Sequence, residues 1–189
     1  MNLTELLSKT RSYRSFDRSV PVTPEDLRDL VEKMRLIPSS MNAQMLKFRP
    51  VTDPAECDRV LAATRWAGKL PQCKLPPKEH EPTAYLIICA DLNVLPNAAN
   101  FDIDVGIAAE VLMLAATETG FGGCIIGSFN RAEISGLLPQ NAVPKLILAL
   151  GKPDEQVVLT DPKPDGSVTY YRENGVHYVE KRRTEDLLL

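Results

Sequence analysis

Apolar residues within the first forty positions recur at the spacing of an amphipathic helix. The members of this stripe are Leu27, Leu30, Val31 and Met34. Thr23 and Pro24 precede the stripe as an N-cap and a first helical residue, and Asp26 completes a capping box. The pattern predicts a helix that starts at Thr23 and ends before Pro38, because the residue before a proline avoids helical geometry. A shorter helix is predicted over residues 2–9.

Shorter apolar runs, each bounded by turn residues, predict strands. They lie at residues 46–52, 84–90, 122–127 and 146–150. The first run is predicted to lie at a sheet edge, since Pro50 cannot donate a hydrogen bond to a neighbouring strand. Near the end of the chain, the turn residues 164–167 predict a hairpin around them.

A longer apolar segment, DVGIAAEVLMLAATET at residues 104–119, has the length of a helix. It is apolar on nearly every side, so we expect it to be the central, buried helix. Further helices are predicted to begin at Asp53 and near Arg131. This order of elements predicts an α+β fold, with helices flanking a mixed or mostly antiparallel sheet.

The length of 189 residues predicts a single domain over residues 1–189. A loop rich in proline and charge, residues 68–83, resembles a linker, but the chain behind it is too short for a second core. We therefore expect an ordered loop that covers a site.

Charge and cysteine usage exclude several classes of protein. The 22 basic and 25 acidic residues give a net charge of −3, which argues against a protein that coats nucleic acid. The four cysteines have no CxxC spacing and give little support to a zinc site. No signal peptide is visible, and no apolar stretch is long enough for a bilayer. We expect a cytoplasmic protein with reduced thiols and neither nucleic acid nor membrane as a partner.

The RSYR motif at residues 11–14 is a candidate anion site. In a helical turn, Arg11 and Arg14 project to one side, with the Ser12 hydroxyl between them. Each guanidinium can donate two charge-assisted hydrogen bonds to a phosphate. The alternative is a pair of solvated arginines. A second basic cluster, residues 181–183, either completes this anion site or pairs with nearby acidic residues.

Two further segments have the chemistry to contact a ring. PSSMNAQ, residues 38–44, carries hydroxyls and amides that suit the edge of a heteroaromatic ring, although they are also typical of an ordinary turn. GGCIIGS, residues 122–128, has glycines that allow close backbone approach to a ligand, or that simply form turns around a buried strand. No dinucleotide fingerprint, P-loop or triad motif is present. His177 is interpreted as a partner or turn residue, with a catalytic role as the alternative.

Five segments, in this order, resemble the nitroreductase family of flavoenzymes. They are RSYRSF, PSSMNAQ, DVGIAAEVLMLAATETGFGGCIIGSF, LALGKPDE and HYVEKR. The resemblance covers almost the whole chain, and its middle segment is the most specific part. It implies an FMN-dependent oxidoreductase that uses NADH or NADPH. It also implies an intertwined homodimer with two FMN molecules at the subunit interface, each touched by both chains.

The resemblance further implies a role for individual residues. Those implied to hold the FMN phosphate and ribityl chain are Arg11, Ser12 and Arg14, with Lys181 and Arg183 closing over the phosphate. Those implied to line the flavin from the other subunit are Pro38, Ser39, Ser40 and Asn42. Those implied to lie against the ring are Ile126 and Gly127.

Three positions depart from the family pattern. Thr10 stands where many relatives carry an arginine, and Met45 stands where many carry a proline. Glu180 replaces a proline that often precedes the basic pair of the tail. We expect Thr10 to remove one phosphate contact and Glu180 to place a negative charge beside the phosphate.

The implied reaction is hydride transfer from NAD(P)H through the flavin to an electron-poor small molecule such as a nitroaromatic compound or a quinone, in ping-pong half-reactions. The chain then needs no nucleophile or general base, because the cofactor carries the hydride. Two alternatives stay open. One is a flavoprotein of the same fold with another reaction, such as dehalogenation, and the other is a non-catalytic flavin-binding module.

Overall fold

A computed structural model describes residues 1–94 and 102–189. The helices are α1 (Leu3–Lys9), α2 (Pro24–Lys33), α3 (Pro54–Ala63), α4 (Asp102–Glu118) and α5 (Arg131–Ser135). The strands are β1 (Phe16–Asp17), β2 (Leu46–Val51), β3 (Ala84–Asp91), β4 (Gly122–Ile126), β5 (Ala142–Pro153), β6 (Gln156–Thr160), β7 (Tyr171–Glu173) and β8 (Val176–Glu180). Short 3-10 turns lie at Met34–Leu36, Ser40–Asn42 and Thr184–Asp186.

Helix starts follow local capping chemistry. The Thr23 side chain accepts a hydrogen bond from the backbone N–H of Asp26, and Asp26 returns one to the cap, as the capping box predicts. Asp53 caps α3 by accepting from the backbone N–H of Glu56. These two predicted starts are confirmed.

The main sheet has five strands, and every pairing in it is antiparallel. The order is β1–β5–β3–β2, and β4 also pairs with β5. β2, with Pro50, lies at an edge as predicted. The combination of this sheet with helices confirms the α+β fold class.

Helices cover both faces of this sheet, so β3 is buried along its whole length. Alternate side chains of a strand point to opposite faces. Leu86 and Ile88 therefore pack with residues of α2 and α4, whereas Tyr85 and Ile87 pack with residues of α3 and α5. These two apolar clusters form the core, and β3 and β5 lie between them.

Helix α4 is buried on one side rather than all round. Val105, Ala109 and Leu112 lie in the core, but Ile103 is 73% exposed and Glu110 is exposed. Helix α4 therefore belongs to the core as expected, but in a single chain it is not covered on every side. Within the described ranges, no helix is long and apolar enough to cross a membrane.

A second sheet has the order β6–β8–β7. The turn at residues 164–167 forms, with the Gly166 N–H donating to the Lys163 carbonyl. The strands on either side of that turn do not pair with each other, because β8 lies between them, parallel to β6 and antiparallel to β7. The predicted hairpin is wrong, and the hairpin that forms joins β7 to β8.

Candidate functional site

The RSYR segment is held in extended form beside β4. Ser12 forms an isolated parallel bridge with Gly123, and the Tyr13 N–H donates to the Gly123 carbonyl at 2.8 Å. The helical turn expected for Arg11 and Arg14 is therefore wrong. The bridge nevertheless fixes both arginines next to the β4 edge of the main sheet.

Thr10 joins α1 to α4 at the start of this segment. Its hydroxyl lies 2.9 Å from the Leu6 carbonyl and 3.0 Å from the Thr117 hydroxyl, and the residue is buried. The position that is arginine in many relatives is thus a packing contact here. Because Thr10 carries no charge, the positive charge of this segment comes from Arg11 and Arg14.

A cavity of about 400 Å³, called here the arginine cavity, opens beside β4. Its polar lining includes Arg11, Ser12, Arg14 and Lys181. Four of the five residues expected around a phosphate therefore meet in one place. The fifth, Arg183, does not line the cavity; it is exposed, and its backbone N–H lies 3.3 Å from Oδ2 of Asp186.

The arginine cavity is strongly positive. None of Arg11, Arg14 and Lys181 forms an ion pair with a carboxylate within residues 1–94 and 102–189. The acidic side chain in the lining is that of the exposed Glu110. Three cations around one acid attract an anion.

Glu180 does not reduce this positive charge, contrary to expectation. His177, Val179 and Lys181 line the cavity at alternate positions, and Glu180 lies on the other face of β8. Its buried carboxylate lies 3.5 Å from Nζ of Lys163. Strand alternation therefore separates Glu180 from the cations.

The two arginines are held differently. Arg11 donates to the carbonyls of Thr10 and Leu7, so part of its guanidinium caps the end of α1. Arg14 is 9% exposed, and its Nη1 donates to the Ser12 carbonyl at 3.1 Å. The Arg14 guanidinium also lies 5.4 Å from the centre of the Tyr170 ring.

His177 and Glu155 complete the surroundings of Arg14. Nε2 of His177 lies 3.4 Å from Arg14 Nη1, and burial together with Arg14 and Arg172 lowers the pKa of His177 to about 4. The Glu155 carboxylate accepts from the Arg14 backbone N–H and from the Arg172 side chain. It thus anchors the Arg14 backbone without pairing with its guanidinium.

Sequence reasoning did not place His177 or Tyr170 at the site. For His177 a signal exists: it is four residues before Lys181, so on one strand the two share a face. For Tyr170 there is no comparable signal, because it lies in the segment before β7 and reaches the cavity through tertiary packing.

A second cavity of about 200 Å³ lies at the end of β4 and is called here the strand-end cavity. It shares Arg14, Ile125 and Tyr170 with the arginine cavity, so the two adjoin. The expected ring residues Ile126 and Gly127 line it, together with Arg65 and Trp66. The loop predicted to cover a site contributes only its first residue, Gly68.

The side chains of β4 alternate in a way that changes the expected ring contact. Ile126 is 4% exposed and belongs to the core, whereas Ile125 is 38% exposed and lines both cavities. Because of this alternation, Ile125 presents its apolar side chain to the two cavities, whereas Ile126 points into the core. It was absent from the expected set.

The two glycines at the start of β4 lie where the packing leaves no room for a Cβ. A Cβ on Gly123 would lie 2.0 Å from the Ala149 carbonyl oxygen, and one on Gly122 would lie 2.7 Å from Tyr13 and Pro153. At Gly127 the nearest atom would be 3.6 Å away, an ordinary contact. Gly123 nevertheless lines the arginine cavity, as expected for a glycine that a ligand approaches, whereas Gly122 lines neither the arginine cavity nor the strand-end cavity.

The residues expected from the other subunit lie elsewhere in this chain. Ser39 and Asn42 line a cavity of about 220 Å³ beneath the 39–44 loop, and Pro38 and Ser40 are exposed beside it. Among the described residues, none lines both this cavity and the arginine cavity. A single chain therefore does not bring Ser39 and Asn42 together with the residues of the arginine cavity.

Backbone strain marks the 39–44 loop. Met41, Asn42 and Gln44 have positive φ of 54°, 53° and 48°, a region that non-glycine residues seldom adopt. The buried Asp104 of α4 holds the loop by accepting from the backbone N–H of Ser40 at 3.1 Å and from its hydroxyl at 2.8 Å. The exposed Asn42 is thus held with its backbone in the left-handed region.

Comparison with known proteins relates this chain to one family. The profile of the nitroreductase family matches residues 7–152. YdgI of Bacillus subtilis strain 168, assigned as an NAD(P)H nitroreductase, is 25% identical over 181 residues, covering 78% of this chain and 87% of YdgI. An NADPH-flavin oxidoreductase of Vibrio harveyi is 26% identical over 170 residues, covering 82% of this chain and 67% of that protein.

A solved structure shares the fold. It is the crystal structure of an assigned nitroreductase from Exiguobacterium sibiricum in complex with FMN. The TM-score is 0.67 at 18% identity, over 82% of this chain and 90% of that one.

Proposed function

This chain belongs to the nitroreductase family, and on that premise we propose that it is an FMN-dependent oxidoreductase. NADH or NADPH is the proposed electron donor, and an electron-poor small molecule such as a nitroaromatic compound or a quinone is the proposed acceptor. The names of the Bacillus and Vibrio relatives and the FMN held by the Exiguobacterium protein support this assignment.

The observation that carries the proposal is the convergence of Arg11, Arg14 and Lys181 on one cavity without carboxylate partners in the described residues. A phosphate monoester dianion matches that charge and accepts charge-assisted hydrogen bonds from each cation. The residues present therefore fit the phosphate end of FMN. The adjoining strand-end cavity, with Ile125, Trp66 and Arg65 in its lining, suits an apolar ring with polar edges.

The protein's own part in the reaction is binding and orientation. Bound FMN supplies two-electron chemistry, with a hydride entering from the nicotinamide and the acceptor reduced in a second half-reaction. Arg11, Arg14 and Lys181 hold the phosphate, and Ser12 offers a hydroxyl to the ribityl chain. Ile125 and Gly127 border the ring at the end of β4.

We propose that the second half of each site comes from a second copy of the chain. Ser39, Ser40 and Asn42 lie on the strained 39–44 loop, and Pro38 directly precedes it. None of these four residues lines the arginine cavity of the same chain. In this homodimer each 39–44 loop lies against the partner's arginine cavity. Asn42 can then contact the FMN bound there.

Flavin binding is the first test. Purified protein titrated with FMN is expected to quench flavin fluorescence and to retain a yellow colour after gel filtration. Anaerobic addition of NADH or NADPH should then bleach the bound flavin, and a nitroaromatic compound or a quinone should restore its absorbance. A chain that takes up no FMN contradicts the proposal, and one whose flavin neither nucleotide reduces favours the non-catalytic alternative.

Replacement of Arg14 tests the phosphate assignment. Arg14→Ala is expected to weaken FMN binding by about 1.5–3 kcal/mol, the range for a charge-assisted contact. Arg28→Ala, on the exposed face of α2, is the matched control and should leave FMN affinity unchanged. Equal affinities in wild type and Arg14→Ala would remove Arg14 from the site.

A further inference from the structure

A single carboxylate on α4 holds the 39–44 loop at Ser40. The Ser40 N–H lies 3.1 Å from each oxygen of Asp104, and the Ser40 hydroxyl donates to one of those oxygens at 2.8 Å. The Ser40 carbonyl accepts from the Ala43 N–H at 3.0 Å. Both polar hydrogens of Ser40 are therefore committed to Asp104, and the turn that follows starts from a fixed residue.

The burial of Asp104 has to be offset by hydrogen-bond donors. The residue is 3% exposed, and no lysine or arginine pairs with it within residues 1–94 and 102–189. A buried carboxylate without a cation is costly unless donors surround it. Ser40 supplies two donors, and the position of Asp104 in the first turn of α4 adds the positive end of the helix dipole. The carboxylate and the loop thus stabilise each other.

The residues after Ser40 adopt a conformation that needs this support. Met41, Asn42 and Gln44 have positive φ, and such strain persists only where the surrounding structure enforces it. The Asn42 N–H donates to the Ser39 carbonyl at 3.0 Å, and Oδ1 of Asn42 accepts from Nε2 of Gln44 at 3.1 Å. Nδ2 of Asn42 has no hydrogen-bond partner in the part of the chain that the structure describes. The turn therefore leaves this amide donor for another molecule.

We propose that Asp104 is a positioning residue that acts, through Ser40, on the flavin bound by the other subunit. By holding Ser40 it fixes the 39–44 loop, and the loop presents Asn42 to the partner's arginine cavity. This inference rests on the proposed function, which places the loop at that cavity. It also separates flavin binding from assembly, because Asp104 is buried and shapes the loop, whereas the neighbouring Ile103 is exposed.

Asp104→Asn is the direct test because it keeps the size of the side chain and changes its hydrogen bonding. A carboxamide has one acceptor oxygen and an NH2 group, so one of its two ends must place a donor against the Ser40 N–H. Asp102→Asn is the matched control. It makes the same change in the first turn of α4, at a side chain that is 77% exposed and pairs with Lys145.

FMN affinity and dimer content are measured for each variant, by fluorescence titration and by light scattering coupled to size exclusion. Asp104→Asn should remain a dimer and bind FMN at least about tenfold more weakly, because charge-assisted hydrogen bonds to the loop are lost. Asp102→Asn should match the wild type. Unchanged FMN affinity in Asp104→Asn, an equal loss in Asp102→Asn, or a monomeric Asp104→Asn would overturn the inference. A wild type that binds no FMN would instead contradict the proposed function.

Mixed dimers test whether Asp104 acts across the interface. Two differently tagged chains are co-expressed, one with Asp104→Asn and the other with both Arg11→Ala and Arg14→Ala, and the heterodimer is isolated on the two tags in succession. One of its sites combines an intact arginine cavity with an intact 39–44 loop, and the other site carries both defects. The heterodimer should therefore bind one FMN with wild-type affinity, although neither parent homodimer does. Weak binding at both sites would overturn the inference.

Hydrogen exchange provides a test that needs no change at Asp104. In the flavin-free wild type, the Ser40 amide should exchange at least about tenfold more slowly than in an unstructured chain, because its hydrogen bonds to Asp104 form without a ligand. Exchange at the unstructured rate would mean that Asp104 does not hold the loop. That result would overturn the inference even if Asp104→Asn fails to fold.

Discussion

His177 titrates well below an ordinary histidine because of what surrounds it. Its burial and the nearby Arg14 and Arg172 disfavour the charged ring and lower its pKa to about 4. Lys181, in the same cavity lining, adds a further positive charge, and Tyr170 packs against the ring at 5.3 Å between centres. Near neutral pH the residue is therefore an uncharged acceptor.

This lowered pKa makes folding stability depend on pH. Between about pH 6.5 and 4 the unfolded chain binds a proton at His177 that the folded chain does not, so stability falls as pH is lowered through this window. The loss is at most about 3 kcal/mol. Urea unfolding at several pH values should show a shallower decline for His177→Gln than for wild type. Parallel curves for the two proteins would contradict the lowered pKa.

Single residues also show what the sequence could and could not predict at the site. Arg11, Ser12, Arg14 and Lys181 were expected and do meet, since their charges are visible without a structure. Ile125 was missed in favour of Ile126, because which side of β4 faces the core depends on its partner strands. The separation of Glu180 from Lys181 follows the same alternation, which becomes certain only once β8 is known to be a strand.

Among the elements, caps were predicted well and strand pairing was not. Thr23 and Asp53 act on residues three positions away, so their effect is local. The pairing of β8 with both β6 and β7 depends on contacts between distant positions. A strong local signal was nevertheless overlooked, since Asn174-Gly175 is a preferred two-residue hairpin turn.

The β7–β8 turn requires a left-handed backbone. Gly175 has a φ of 80° and Asn174 a φ of 50°. Gly175→Ala should lower the free energy of unfolding by about 1–2 kcal/mol, the cost of a left-handed conformation for a residue with a Cβ. Gly68→Ala is the control, because its φ is not positive and its Cβ would have open space. Equal effects of the two substitutions on chemical denaturation would contradict this account of the turn.

At the level of the whole molecule, the two groups of residues expected around one FMN do not meet within a single chain. The arginine cavity and the 39–44 loop lie on either side of α4, whose Glu110 and Met113 line the cavity and whose Asp104 anchors the loop. The same helix leaves Ile103 exposed. The proposed homodimer is expected to cover this side chain together with the 39–44 loop.

The dimer proposal predicts the effect of a charge on α4. Light scattering coupled to size exclusion should give a dimer for the wild type at micromolar concentration. Ile103→Lys should shift the protein toward monomer and weaken FMN binding in parallel, although Ile103 lines neither the arginine cavity nor the strand-end cavity. Arg59→Lys, exposed on α3, is the matched surface control. A wild-type monomer that still binds FMN would contradict the shared site.

The order of the chain also decides when the arginine cavity is complete. Arg14 and β4 are translated well before β8, which brings His177, Val179 and Lys181 to the opposite wall. A nascent chain that has made only the main sheet therefore leaves its arginines facing water, with nothing to enclose a dianion. We therefore expect FMN to bind after β8 has docked, and to stabilise a main sheet that has already formed.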